Sequence, residues 1–208
     1  FNINFLSAQE TQSQSRIDEI VVTAEFNDID AYNISSSISV ITENDIFKRN
    51  ANHLEDLLFI TPNVNYSSGA SRGKFYQIRG IGERSEFTEP VNYSVGVIID
   101  GIDFTGIALG ASTFDIKQVE VLRGPQGTLY GANALAGLIN IVSNDPTEDF
   151  YSEISGSISE FGGKDFGVII SNSNDNNFGY RLGFKNSKSD GFIKNVFLNR
   201  DDTNDINE

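Results

Sequence analysis

Few residues in this chain could carry out catalysis. It holds one histidine, His53, and no cysteine or methionine. A thiol nucleophile, a zinc finger, an iron–sulfur site and a disulfide are therefore excluded. His53 stands at the polar start of a helical pattern and reads as a solvated surface residue, with no Ser/His/Asp set to join. Gly80-Ile81-Gly82 opens like a dinucleotide fingerprint, but Ser85 takes the third glycine position and no helical pattern follows. Gly69 to Lys74 (GASRGK) is one residue short of a phosphate loop, and Phe75 stands where a magnesium-holding Ser or Thr belongs. Asp201-Asp202-Thr203-Asn204-Asp205 lacks the glycine and spacing of a calcium loop and reads as a solvated turn. No enzyme activity, cofactor or metal is expected.

Binding is better provided for. Tyr66, Arg72, Lys74, Arg84, Phe87 and Tyr93 place rings and cations in loops, a mixture that suits an anionic chelate, a sugar or a corrinoid. Lys and Arg number 15 against 29 Asp and Glu, a net charge of −14, which argues against a nucleic-acid partner. Cations kept in loops against that background favour an anion locally, although Glu83, Glu86 and Glu89 share a loop with Arg84. Arg79, Glu120 and Arg123 form a second set, charges set in otherwise apolar strand-forming runs.

The elements that must position these residues are mostly short. Phe1 to Ala8 is apolar and uncharged and is expected to be a signal-peptide remnant cut near Ala8, although Leu6 fits the small-residue rule poorly. Gln9 to Arg16 (QETQSQSR) reads as a flexible tether. Ile17 to Ala24 (IDEIVVTA) is a short β-branched strand former; read alone, it is the first strand of a sheet. Residues 38–41 suggest a strand, after which Thr42 caps a helix with Asp45 three residues on. Asn50 or Asn52 caps a second helix that carries Leu54, Leu57 and Leu58 on one face and stops by Pro62. Residues 63–75 read as a loop, and strands follow at Tyr76–Ile81 and Val95–Ile102, with loops at 82–94 and 103–114. Val119–Leu122 and Leu138–Ser143 complete a small mixed α+β unit ending near Asp145-Pro146.

Beyond Pro146 the period becomes two. Ile154, Gly156 and Ile158, then Phe166, Val168 and Ile170, then Phe178, Tyr180, Leu182 and Phe184 hold the even positions, with mostly polar or small residues between. Gly162-Gly163 and Asn174 to Asn177 join the three strands, and from Ser187 the chain turns polar and acidic. No apolar run of about 18 residues exists to span a membrane as a helix, whereas a membrane strand needs only about 9–11 alternating residues. A soluble β-sandwich shows the same alternation.

One segment is far more specific. Val119 to Val142 (VEVLRGPQGTLYGANALAGLINIV) closely resembles the plug-domain signature of TonB-dependent outer-membrane receptors. Gln77-Ile78-Arg79-Gly80-Ile81 and Val95 to Gly101 (VGVIIDG) resemble further plug motifs, and Ile17 to Ala24 resembles the TonB box, placed before the plug as in that family. Ala132 departs from the many relatives that carry Arg there.

The resemblance implies an α+β plug domain, a small mixed sheet with short helices, followed by the first antiparallel strands of a transmembrane β-barrel. It divides the chain into 1–16 (signal-peptide remnant and tether), 17–24 (TonB box), 25–146 (plug) and 147–208 (an incomplete start of the barrel). A barrel of about 22 strands has a lumen too wide to leave open, and a plug fills it. Asp18, Glu19, Ile20, Val21, Val22, Thr23 and Ala24 would bind periplasmic TonB edge to edge, as an added strand. Arg79, Glu120 and Arg123 would form a charge lock at the plug–barrel boundary.

The implied function is active uptake of a scarce ligand across the outer membrane of a Gram-negative bacterium. Outer-membrane lipid and TonB would be its partners and a ferric siderophore its expected cargo. Cobalamin or an oligosaccharide are alternative cargoes, and a soluble β-rich carbohydrate-binding or adhesion module is an alternative class.

Overall fold

The computed structural model describes residues 21–23, 29–30, 37–67, 75–84, 92–107, 112–174, 178–190, 196–197, 199 and 206–207. Its centre is a five-stranded sheet built from β3 (Ser37–Thr42), β6 (Val95–Ile99), β7 (Ile102–Asp103), β8 (Ile116–Arg123) and β9 (Gly137–Ser143). The spatial order is β3-β8-β9-β6-β7, antiparallel except for the parallel pair β6–β9. β8 and β9 are interior strands buried on both faces, which is why their sequence is almost continuously apolar.

Strand parity sorts the core into two clusters. Val119, Val121, Ile139, Ile141, Val95 and Val97 face α1 (Glu43–Arg49), α2 (Leu54–Leu58) and the hairpin of β4 (Val64–Ser67) and β5 (Phe75–Ile78). Leu122, Leu138 and Ile98 lie on the opposite face with Ala134 and with Val22 from β1 (Val21–Val22), which pairs with β2 (Ile29–Asp30). Leu54, Leu57 and Leu58 are buried, as their spacing required. Thr42 caps α1 in a reciprocal box with Asp45.

Several boundaries differ from the sequence reading. The N-cap of the second helix is His53, not Asn50 or Asn52; the Asp56 carboxylate accepts from the backbone N–H of both Asn52 and His53, 3.1 Å each. Asn50 instead ends α1 in the left-handed conformation (φ 49°), which Asn tolerates. His53 is half-buried and bridges to Ser112, so it is not a fully solvated residue. The 63–75 segment contains β4, the strand expected at Tyr76–Ile81 ends at Ile78, and that expected at Val95–Ile102 breaks at Ile99. A one-turn helix, α3 (Gly127–Tyr130), sits inside the signature segment.

The chain then enters an antiparallel meander of β10 (Tyr151–Ile158), β11 (Lys164–Asn174) and β12 (Phe178–Ser189), which β13 (Ile206–Asn207) joins at the end of β12. The register sets Ile154 opposite Val168, Val168 opposite Phe184 and Ile170 opposite Leu182, so all the even positions share one face. Phe166 and Tyr180 are on that face together. It is exposed and apolar: Ile154, Leu182 and Phe184 are 76%, 65% and 60% accessible. The odd face is mostly polar or small, with Ile169 among it, and turns toward the plug; Ser171 on it is fully buried.

Candidate functional site

Of the segment expected to serve as a docking strand, Val22 and Thr23 are seated in the plug. Val22 is fully buried against Leu122, Ala134 and Leu138. Thr23 donates its backbone N–H (2.9 Å) and its hydroxyl (3.1 Å) to Oε1 of Glu120. Gln118 donates to the same oxygen at 2.6 Å, and Asn140 Nδ2 donates to Oε2 at 3.0 Å. Glu120 has no exposed surface. A buried carboxylate is tolerable only when its lone pairs are filled in this way, and charged hydrogen bonds are the stronger kind. Asp18, Glu19, Ile20 and Ala24 lie outside the described residues.

Glu120 and Arg123 do not share a site. They are three apart on β8, so their side chains leave opposite faces of the sheet. Arg123 is on the helix side, where Nε and Nη2 donate to the Pro62 carbonyl at 3.1 and 2.9 Å and Nη2 to Ser39 Oγ at 2.9 Å. Burial first, and the nearby Arg79 guanidinium second, pull Arg123 below the usual arginine value. Arg79 is exposed on the turn after β5, with a left-handed backbone (φ 55°) and its N–H bonded to the Asn63 carbonyl. Of the three residues expected to form a lock, Arg79 and Arg123 are neighbours and Glu120 lies on the other face of the sheet.

Among the described residues, the loop candidates do not converge. Tyr66 is half-buried on β4 with its ring edge-on to Phe59 at 5.5 Å. Tyr93 stacks on Phe75 at 6.2 Å and fills the space above Gly106. Arg84 is exposed. No hydrogen bond or ring contact joins these three. Glu83 is structural: it accepts from the backbone N–H (3.0 Å) and hydroxyl (2.7 Å) of Ser94, closing the base of the 82–94 loop. Arg72, Lys74 and Phe87 lie outside the described residues.

Sequence reasoning missed the contact between plug and wall. Asp115, in a left-handed conformation (φ 60°), accepts from Arg181 of β12, with Nε 2.7 Å from Oδ2. The only sequence cue was the odd, inward parity of Arg181; nothing pointed to a partner 66 positions earlier.

A mixed sheet covered by short helices, packed against the polar side of an antiparallel meander whose other side is apolar, is the architecture of a plugged β-barrel. Residues 30–138 match the family model for the TonB-dependent receptor plug domain, and the chain belongs to that family.

Among curated proteins it is similar to the vitamin B12 transporter BtuB of Vibrio vulnificus strain YJ016, 32% identical over 67% of this chain and 22% of that protein. The pesticin receptor of Yersinia pestis is 30% identical over 71% of this chain and 22% of its own length. Among solved structures, the ferric-catecholate import receptor Fiu of E. coli K12 in its open form superposes with a TM-score of 0.62 at 28% identity, covering 78% of this chain and 22% of that one. P. aeruginosa FpvA bound to heterologous pyoverdines shares the fold, with a TM-score of 0.69 at 22% identity over 83% of this chain and 22% of that one. The chain spans about a fifth of the length of the curated relatives it matches.

Proposed function

We propose that this chain supplies the TonB box (17–24), the plug (25–146) and the first wall strands (147–208) of a receptor in a Gram-negative outer membrane. Residues 1–16 would be the leader remnant and tether. The receptor takes up a scarce ligand with energy delivered through TonB. The observation that carries this reading is the two-sided meander: an exposed apolar face suited to lipid, and a polar face with the plug packed on it. In the working cycle the ligand binds on the outer loops and Val22 and Thr23 leave their seat. The freed segment then pairs edge-on with TonB, through main-chain bonds that demand little of its side chains. Arg79 and Arg123 remain candidates for a lock with acidic groups of the wall.

For cargo, a ferric siderophore is the reading adopted. It rests on the cationic loop residues Arg72, Lys74 and Arg84 in a chain of net charge −14, and on likeness to a ferric-catecholate import receptor. Likeness to a vitamin B12 transporter keeps cobalamin as the second reading. Purified full-length receptor should bind ferric chelates saturably, and Arg84→Ala should weaken that binding. Saturable binding of cobalamin alone would replace the iron reading.

Coupling has its own test. Val21→Pro in the full-length receptor should abolish energised uptake while ligand binding persists, because proline removes a ladder donor and restricts the pairing strand. Loss of both together would make Val21 and Val22 a structural strand of the plug.

A further inference from the structure

Among the described residues, one place where the plug meets the wall is the corner Ser112 to Asp115, just before β8. Gly167 on β11 and Gly183 on β12 leave a notch on the inner face of the wall, and the Phe114 ring fills it. A Cβ on Gly167 would lie 3.0 Å from Cε2 of that ring, and one on Gly183 2.9 Å from Cε1. Beside the notch, the Asp115 carboxylate and the Arg181 guanidinium bond through Nε and Nη2, with side chains only 17% and 13% exposed. Arg181 also lies 5.6 Å from the Tyr151 ring centroid. Asp115 accepts from the backbone and side chain of Asn144, both at 3.2 Å, which ties in the segment that leads out of the plug. Thr113 donates to the carbonyls of Asn52 and Ala51, and Lys185 of β12 reaches Asn52 Oδ1 at 3.1 Å. Next to the corner the contact opens into a crevice of about 320 Å³ between α1 and strands β10 and β11.

The sheet order sets what a pull on the N-terminal segment would load. β2 and then β3 follow the box in the chain, and among the described residues β3 is an edge strand paired only with β8. Tension entering at Ser37 peels an antiparallel edge strand one ladder bond at a time. The corner lies past α1, α2, the β4–β5 hairpin, β6 and β7 in the chain, so a pull from the N-terminal side loads those elements before it. A left-handed Asp is strained backbone held by its surroundings, and here it aims the carboxylate at the wall.

Resting on the transport reading above, we propose that Phe114 in the Gly167–Gly183 notch, together with the Asp115–Arg181 pair, is the fixed anchor of the plug: during uptake the N-terminal part of the plug is displaced while this corner stays on the wall.

Two experiments on the full-length receptor separate the anchor from the transport cycle. In the first, the purified receptor is exposed to protease. Gly183→Val fills the notch and Arg181→Ala strands Asp115, so each should raise nicking of the plug about tenfold or more. Lys117→Ala, which removes an ion pair with Asp145 that is 51% and 82% exposed, should leave nicking unchanged. Nicking at the wild-type rate in both corner variants would overturn the anchor, whether or not the receptor transports anything. In the second, Asp115→Cys and Arg181→Cys are joined by a short thiol cross-linker in cells; the described chain contributes no other cysteine. The cross-linked receptor should keep energised uptake within about twofold of the un-joined form. Abolished uptake with ligand binding retained would mean that the whole plug must leave the wall, and would overturn the proposal.

Discussion

Glu120 shows how one buried charge can control a segment almost a hundred residues away. Its Oε1 takes both Thr23 donors and its Oε2 takes Asn140, so the carboxylate is an acceptor on every side. Glu120→Gln keeps the shape but turns one acceptor into a donor pair that cannot satisfy all its neighbours. Hydrogen bonds to a charged group contribute about 1.5–3 kcal/mol each, so the seat of Val22 and Thr23 should weaken by about tenfold or more. The unliganded full-length Glu120→Gln receptor should therefore capture TonB better than wild type, measured by binding of purified TonB without ligand. Unchanged capture would mean that burial of Val22 alone retains the segment. Part of this was legible beforehand: residues 120 and 123 of one strand cannot share a face, and that parity already separates Glu120 from Arg123. The Thr23 contact was not legible, because long-range pairing leaves no mark on local sequence pattern.

Turn chemistry decided the element boundaries. Strands expected to run through Arg79-Gly80 and Asp100-Gly101 instead reverse there, with φ of 55° and 81° in the first pair and 47° and 81° in the second. Asp-Gly between apolar runs is a strong hairpin signal, because both residues accept positive φ, and the break between β6 and β7 was readable from it. Gly101→Ala tests the point: no atom lies within 4 Å of a Cβ there, so the cost is backbone strain, about 1–2 kcal/mol. Faster amide exchange confined to β6 and β7 in the receptor is the expected result.

The α1 cap was read correctly from Thr42 and Asp45. Thr42→Ala should cost about 1 kcal/mol, seen as faster exchange of the α1 amides. The hydrogen bonds from Thr42 hold the Asp45 carboxyl below its ordinary value. The unfolded helix start therefore binds a proton more readily than the folded one. The stabilisation is present at neutral pH and fades as pH falls below about 4. The protection factors of the α1 amides, taken relative to the intrinsic exchange rate at each pH, should fall there in wild type and much less in Thr42→Ala.

At the scale of the molecule, alternation alone left a lipid-facing wall and a soluble sandwich open, because both bury one face of each strand. What separates them is which face is covered. In a sandwich the apolar side would be inside; here the plug lies on the odd side, against Gly167, Ile169, Ser171, Arg181 and Gly183, while Ile154, Leu182 and Phe184 remain exposed. Size matching carries the same message, since small inner residues admit the plug where Phe114 and Pro146 approach most closely. That inversion makes a prediction with opposite outcomes on neighbouring strands. Leu182→Arg puts a charge on the outer face of β12, where an arginine near mid-bilayer costs about 2–4 kcal/mol. Ser173→Arg puts the same charge on the odd, plug-side face of β11, where a charged side chain already has a precedent in Arg181. Assembly of the full-length receptor, followed by its heat-modifiable mobility in membrane extracts, should fall for Leu182→Arg and stay near wild type for Ser173→Arg. The reverse ranking would require the exposed apolar face of β10 to β12 to be covered by protein, and the wall assignment would be lost with it.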